Sequence, residues 1–438
     1  MSTSSLPSYR ALDHSRIPTY SAEPSAYERR LAVNRSRLRP SGEFVKQSKG
    51  GGVSIRLTAQ ENNVSLPVYG CGSSIEGTVE LPRTDGVAAV EVKIEGTLRL
   101  KEIAEGGTVT HKLCSSRASL WDADRASVPC PTSLRFSLGL PATFTDGKDT
   151  YPLPPTHEVH LSGVPGFRAT IDYAISAYVY KGKAAALLPV KQNNTVSTPF
   201  VYYPRSRPAL GLPGPMTITT VYPGVLESAD WTCFDTVMAA KSRGVKDIVA
   251  KLYIPASRVF CLSEPIPFHL TFASSAVSLA AFLPYVPAPS SYMGARRLTR
   301  IQVLRQSSVD VRNTTIAGTK TDIWRVLSIG EGSFRHACDG QEFMSFVGEI
   351  AVNPNTRIGG FKAGGLFIKD CIVLSMIPPD PTKSPFSELR CVVPIRLTTD
   401  PWSSDNTGAP FLQTEYSTPS TPEESHAGSH FSDYQEQV

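Results

Sequence analysis

Alternation with period two constrains this chain more than any other feature of its 438 residues. Between Val90 and Lys101 the apolar positions are Val90, Val92, Ile94, Leu98 and Leu100. Glu91, Lys93, Glu95, Thr97, Arg99 and Lys101 fall between them. Successive strand side chains point to opposite faces, so this is a long strand with one buried and one wet face. Leu134, Phe136, Leu138 and Leu140 repeat the pattern, as do Ile171, Tyr173, Ile175, Ala177 and Val179. No stretch of helical length carries a convincing helical stripe. The fairest helix candidate is Ala239–Ala250, which is short and contains Gly244. Many strands punctuated by Gly and Pro predict an all-β fold of sandwich or barrel type.

The alternation also repeats at long range. "YGCGSSIEGTVEL" places Tyr69, Ile75, Val79 and Leu81, and "FCLSEPIPFHLTF" places Phe260, Ile266, Leu270 and Phe272 at the same spacing. Each reads as an apolar strand, a turn and a second alternating strand, which predicts two similar β modules in tandem. Between them, Tyr202–Met216 contains Pro204, Pro208, Pro213 and Pro215. Proline lacks the N–H that a sheet ladder needs, so this stretch reads as a linker. The predicted organisation is an arm over 1–50, modules over 51–205 and 217–400 joined by a linker over 206–216, and a tail over 401–438.

Charge separates the ends from the middle. Residues 1–51 carry nine Lys or Arg against four acids, a net of +5, and residues 401–438 carry six acids and no Lys or Arg. Both ends are rich in Ser, Thr and Pro and poor in large apolar residues, a composition expected to stay disordered. The formal charge of the whole chain is only +5, with no dense basic stripe of the kind nucleic acid requires. A signal-peptide pattern and a membrane-length apolar run are both missing from the sequence; the best apolar run, Ala276–Phe282, stops at Pro284. Eight scattered cysteines without a Cys-x-x-Cys pair are expected to be reduced, in an intracellular protein.

Enzyme motifs are absent. Neither Gly-x-Ser-x-Gly nor a Gly-x-x-x-x-Gly-Lys loop occurs. His157-Glu158-Val159-His160 spaces its histidines by three beside Pro154-Pro155, whereas zincin ligands need four on a helix. No catalytic residue, metal or cofactor is expected. The glycines of "IGGFKAGGLF" read as a bent hairpin.

With these features assembled, the chain resembles the arrestin fold, and specifically the α-arrestin group of trafficking adaptors. The resemblance spans about residues 50–400. It rests on "PVYGCGSSIEGTVELP", on "VAAVEVKIEGTLRL" with Gly96, on "FSLGLPATF" followed by "GFRATIDYAISAYVYK", and on "TPFVYYPRSRP". "DIVAKLYIPASRVFCLSEPIPFHLTF" through "LRCVVPIRLTT" resembles the second arrestin domain. It implies two tandem immunoglobulin-like β-sandwiches and no enzymatic activity. The implied role is to recruit WW-domain HECT ubiquitin ligases to the cytoplasmic tails of membrane transporters or receptors, for ubiquitination and endocytosis.

In that setting the N-terminal arm acquires a role. Leu6-Pro7-Ser8-Tyr9 is similar to the LPxY motif by which such adaptors engage WW domains, and Ile17-Pro18-Thr19-Tyr20 departs from it by Ile for Leu. The expected binding residues are Leu6, Pro7, Tyr9, Ile17, Pro18 and Tyr20. A Pro-x-Tyr segment adopts polyproline II at little entropic cost and docks on an aromatic groove. A third match, Leu66-Pro67-Val68-Tyr69, falls in the predicted first strands and is expected to be structural. The basic arm is also suited to peripheral contact with anionic lipid. Ser417-Thr418-Pro419, Thr421-Pro422 and Ser384-Pro385 match proline-directed phosphorylation sites. The expected location is cytoplasmic, peripheral at the plasma membrane or endosomes. Two alternatives remain: an arrestin-fold trafficking scaffold without ligase recruitment, and a secreted carbohydrate-binding or hydrolytic β-sandwich.

Overall fold

A computed structural model describes residues 24, 26–31, 40–62, 64–103, 107–161, 166–182, 194–287, 298–312 and 320–404. The protein is almost entirely β, as two β-sandwiches. The first half contributes β1 (Glu28–Leu31), β2 (Gly42–Gln47), β3 (Ser54–Gln60), β4 (Val68–Tyr69), β5 (Ser74–Glu80), β6 (Val87–Glu102) and β7 (Thr108–Asp122). These are followed by β8 (Ser133–Gly139), β9 (Thr143–Asp146), β10 (Asp149–Pro152), β11 (His157–Leu161), β12 (Phe167–Lys181), β13 (Asn194–Tyr202) and β14 (Arg205–Pro208). The second half contributes β15 (Trp231–Met238), β16 (Ile248–Pro255), β17 (Val259–Cys261), β18 (Ile266–Ala273) and the helix α1 (Ala276–Phe282). It ends with β19 (Thr299–Arg312), β20 (Lys320–Asp339), β21 (Phe343–Val352), β22 (Phe361–Ala363), β23 (Leu366–Met376) and β24 (Leu389–Thr398).

The two halves share one strand order. In the first, β2-β3-β5-β8 form one sheet and β4-β13-β12-β6-β7 the other, with β11 beside β12. In the second, β15-β16-β18-β21 match the first set and β17-β24-β23-β19-β20 the second, with β22 beside β23. The matched strands follow the same chain order, so the repeat seen in the sequence is a repeat of topology. Tyr69 and Phe260 occupy equivalent places: each lies in a short strand running parallel to the last long strand of its half, opposite Tyr202 and Leu397. One difference separates the halves. β20 pairs with β21 and zips the second pair of sheets into one curled sheet, whereas β7 pairs with β6 alone.

Alternation converts directly into packing. Along β6, Val90, Val92, Ile94 and Leu98 have no solvent exposure, while Glu91, Lys93, Glu95 and Thr97 between them face outward. Gly96 is required on that strand: a Cβ there would sit 2.5 Å from the Tyr173 ring and 2.8 Å from Cys114 Sγ. The Tyr173 hydroxyl, buried below it, donates to the Pro154 carbonyl at 2.6 Å. One core runs from Val53 to Tyr202 and a second from Met238 to Leu397.

Three expectations change. Ala239–Ala250 is not helical: β15 ends at Met238, a turn follows with Gly244 at φ +90°, and β16 begins at Ile248. The helix lies instead at Ala276–Phe282, where Ser275 Oγ caps the Ser278 N–H and Pro284 ends the run. At seven residues it is shorter than any window that reveals a helical stripe. The stretch 1–50 contains two strands: β1 finds its partners far along the chain, in β14 and at Arg396, and β2 pairs with the adjacent β3. The Pro-rich linker likewise contains β14, in which Pro208 sits at the end of a two-stranded pairing with β1 that lies outside the large sheets.

Candidate functional site

Several elements meet between the two halves and bring buried arginines and carboxylates with them. The glycine-rich stretch read as a bent hairpin is one: Ala363 pairs with Leu366 across Gly364 and Gly365, both at positive φ. Its tip reaches the first half. A Cβ on Gly364 would lie 2.9 Å from Leu98 Cδ2 and 3.0 Å from His111 Cγ. Phe361, Ala363, Leu366 and Ile368, with Val309, complete the first core rather than the second. The Phe361 ring stands edge-on to His157 at 5.3 Å.

Three ion pairs hold this seam. Arg305 Nε and Nη2 donate to the two Asp370 oxygens at 2.7 and 3.0 Å, and Nη2 also donates to the Ile358 carbonyl at 2.7 Å. Arg205 Nε donates to both Asp400 oxygens at 3.1 Å. Arg396 Nη2 donates to Glu28 Oε1 at 3.0 Å, although the two residues are 368 positions apart. The Glu28 side chain is 3% exposed, so β1 is clamped by a buried carboxylate as well as by its pairing with β14. On the other side of β14, the Ser206 N–H donates to Thr399 Oγ1 and the Asp400 N–H to the Ser206 carbonyl. Strand β1 and the end of the second sandwich therefore meet at one four-residue strand.

Beside these pairs lies a cavity of about 80 Å³ lined by Arg30, Tyr202, Arg205, Gly360, Lys362 and Thr399, among others. Sites that enclose a small-molecule substrate usually measure about 300–1,000 Å³. This cavity suits a side chain or an ion, not a substrate.

The residues singled out from the sequence fall into three groups. Leu6, Pro7, Tyr9, Ile17, Pro18 and Tyr20 lie outside the described residues, as do Ser417, Thr418 and Thr421. The third Pro-x-Tyr match is structural: Tyr69 is 6% exposed, its ring edge-on to Phe200 at 5.3 Å. Ser384 is 4% exposed and its hydroxyl accepts from the Phe386 N–H, so this Ser-Pro site is closed to a kinase. His157 and His160 sit three apart on β11, an odd spacing that turns them to opposite faces. Among the described residues no three His, Cys, Asp or Glu side chains come together as metal ligands. All eight cysteines are free, and burial pushes the Cys114 and Cys371 thiols up to about 11, which leaves them protonated packing groups. Arg205, Arg305, Asp370, Arg396 and Asp400 carry no local motif; only their three-dimensional pairing marks them.

Two imidazoles make the fold acid-sensitive. Burial, reinforced by the Arg305 guanidinium, pushes His157 down to about 4. Burial alone pushes His269, whose ring stands edge-on to Trp231 at 5.1 Å, to about 4. Both are neutral in the fold and titrate near 6.5 when unfolded. Their stabilisation is complete above pH 6.5 and is lost as pH falls through 4, by at most roughly 3 kcal/mol per imidazole. Denaturant titrations of the native protein and of His157→Gln/His269→Gln check this: the variant should lose less stability between pH 6.5 and 4.

Among the described residues, no helix is long and apolar enough to cross a membrane. No family model matches the chain, and no curated protein matches it significantly.

Proposed function

We propose that this protein is an arrestin-like adaptor that links membrane cargo to WW-domain HECT ubiquitin ligases. The observation that carries the reading is the clamping of β1. Glu28 follows Tyr20 by eight residues and is pinned at the seam between two sandwiches of identical strand order. Eight extended residues span at most about 29 Å. A ligase bound at Tyr20 is thereby held within reach of whatever the sandwiches hold. Tandem sandwiches whose seam cavity is too small for a substrate suit a tether better than an enzyme. The cytoplasmic tail of a transporter or receptor is the proposed cargo, with the protein acting peripherally at the plasma membrane or endosomes.

The test is capture of the full chain by isolated WW domains. Tyr9→Ala should weaken capture by about 30-fold or more, the effect of removing a buried aromatic anchor. Tyr20→Ala should weaken it less, since Ile17 replaces the leucine of the motif. Undiminished capture of the Tyr9→Ala/Tyr20→Ala double variant would remove ligase recruitment and leave a trafficking scaffold.

A further inference from the structure

Residues 214–228 cross the outer face of the second sandwich without joining its sheets. They fold back on themselves as a narrow hairpin. The Thr219 N–H donates to the Gly224 carbonyl at 3.0 Å, the Gly224 N–H to Val221 at 2.8 Å and the Leu226 N–H to Thr217 at 2.8 Å. Ile218 and Val225 bridge across it. Among the described residues no ladder ties this hairpin to a strand of the sandwich. Single side chains of the sheet hold its carbonyls instead. Thr271 Oγ1 donates to the Pro223 carbonyl at 2.8 Å, Trp231 Nε1 to that of Gly214 at 3.3 Å, and the Cys338 thiol, a weak donor, to that of Thr219 at 3.4 Å. The Tyr253 hydroxyl donates to Glu227 Oε1 at 2.8 Å. Met216 and Val225 are buried in a cluster with Trp231 and Tyr253 that is separate from both cores, while Ile218, Val221 and Leu226 face solvent. A segment with so few buried contacts opens at less cost than the fold that carries it.

His269 lies beneath this hairpin. On β18 it stands directly between Tyr253 of β16 and Val347 of β21, and the same row continues to Cys233 on β15 and Arg335 on β20. Residues directly opposite in neighbouring strands point the same way, so the row shares one face. Asp235, Lys251 and Glu349 occupy the adjoining rows of that face, and Glu227 reaches it from the hairpin. Nδ1 of His269 is buried with no hydrogen-bond partner among the described residues. Burial, and none of these charges, holds the imidazole neutral down to about pH 4. Lifting the hairpin admits water to the ring and restores an ordinary value near 6.5. Below that pH the open form takes up a proton that the closed form refuses, so acid favours opening.

We propose that residues 214–228 form a strap that opens while both sandwiches stay folded, and that protonation of His269 opens it. This inference is independent of the ligase reading, because it uses no residue of the N-terminal arm.

The experiment is amide hydrogen exchange of the full chain at pH 7 and pH 5, each rate referred to the unprotected rate at that pH. The amides of Thr219, Gly224 and Leu226 should be less protected than those of Leu252 and Leu270 in the core at both pH values. Their protection should fall by about 20-fold from pH 7 to pH 5. His269→Phe should keep the separate opening and reduce that fall to less than about twofold. Strap amides as protected as the core would overturn the proposal, and so would an undiminished fall in His269→Phe. Should that variant fail to fold, the native protein decides through the onset of the fall. An onset near pH 6.5 belongs to the imidazole, and an onset below about pH 5, where carboxylates titrate, overturns the proposal.

Discussion

Asp370→Ala should cost the protein about 3–5 kcal/mol of unfolding free energy, the usual loss when one partner of a buried ion pair is removed. The Asp370 side chain is 1% exposed and that of Arg305 is 10% exposed. Without the carboxylate, the guanidinium keeps, among the described residues, only the Ile358 carbonyl as partner and is left as an uncompensated charge at the seam. A chemical denaturation midpoint measures the loss. Replacing both partners, as Arg305→Met/Asp370→Leu, should recover most of it, because the cost lies in the orphaned charge and not in the absence of a pair. Breaking the exposed Arg168–Glu158 pair should leave the midpoint unchanged within error. A midpoint equally unmoved in Asp370→Ala would mean that water reaches Arg305 and that the seam is open.

Phe361→Ala should have an effect of similar size, about 3–5 kcal/mol, for a different reason. Phe361 belongs by chain position to the second half and by packing to the first core. Removing its ring leaves a void beside His157 and deletes an apolar contact between the two halves. Calorimetry of the native protein should show one cooperative transition. Phe361→Ala should lower the first core's transition and separate it from that of the second core. A single transition at the native midpoint would show that the halves are already independent.

What could be read from the sequence followed from locality. The alternation in Val90–Lys101 is a property of neighbouring residues, and it became β6 with its apolar positions buried. The Tyr69 and Phe260 repeat was visible because equivalent strands keep equivalent spacing. The hairpin at Gly364-Gly365 was visible because left-handed turns favour glycine. The seam was not legible. Glu28 and Arg396 pair across nearly the whole chain, and nothing beside either residue announces the other. The same distance hid β1 inside a stretch whose composition reads as disordered, and hid β14 inside a Pro-rich stretch. Helix α1 escaped because it holds only about two turns between Ser275 and Pro284, and because its apolar residues run together instead of at helical spacing.

The clamp on β1 also sets an order of events during synthesis. Glu28 leaves the ribosome 368 residues before Arg396 does. At about 5–20 residues per second, that interval lasts roughly 20–70 s. Throughout it, β1 can lie against β14 once residues 205–208 have emerged, but its carboxylate has no counter-charge from Arg396. Arg205 waits in the same way for Asp400. The arm is therefore locked to the body only when the last strand of the second sandwich is complete, so that a finished chain and a truncated one differ at their N-termini.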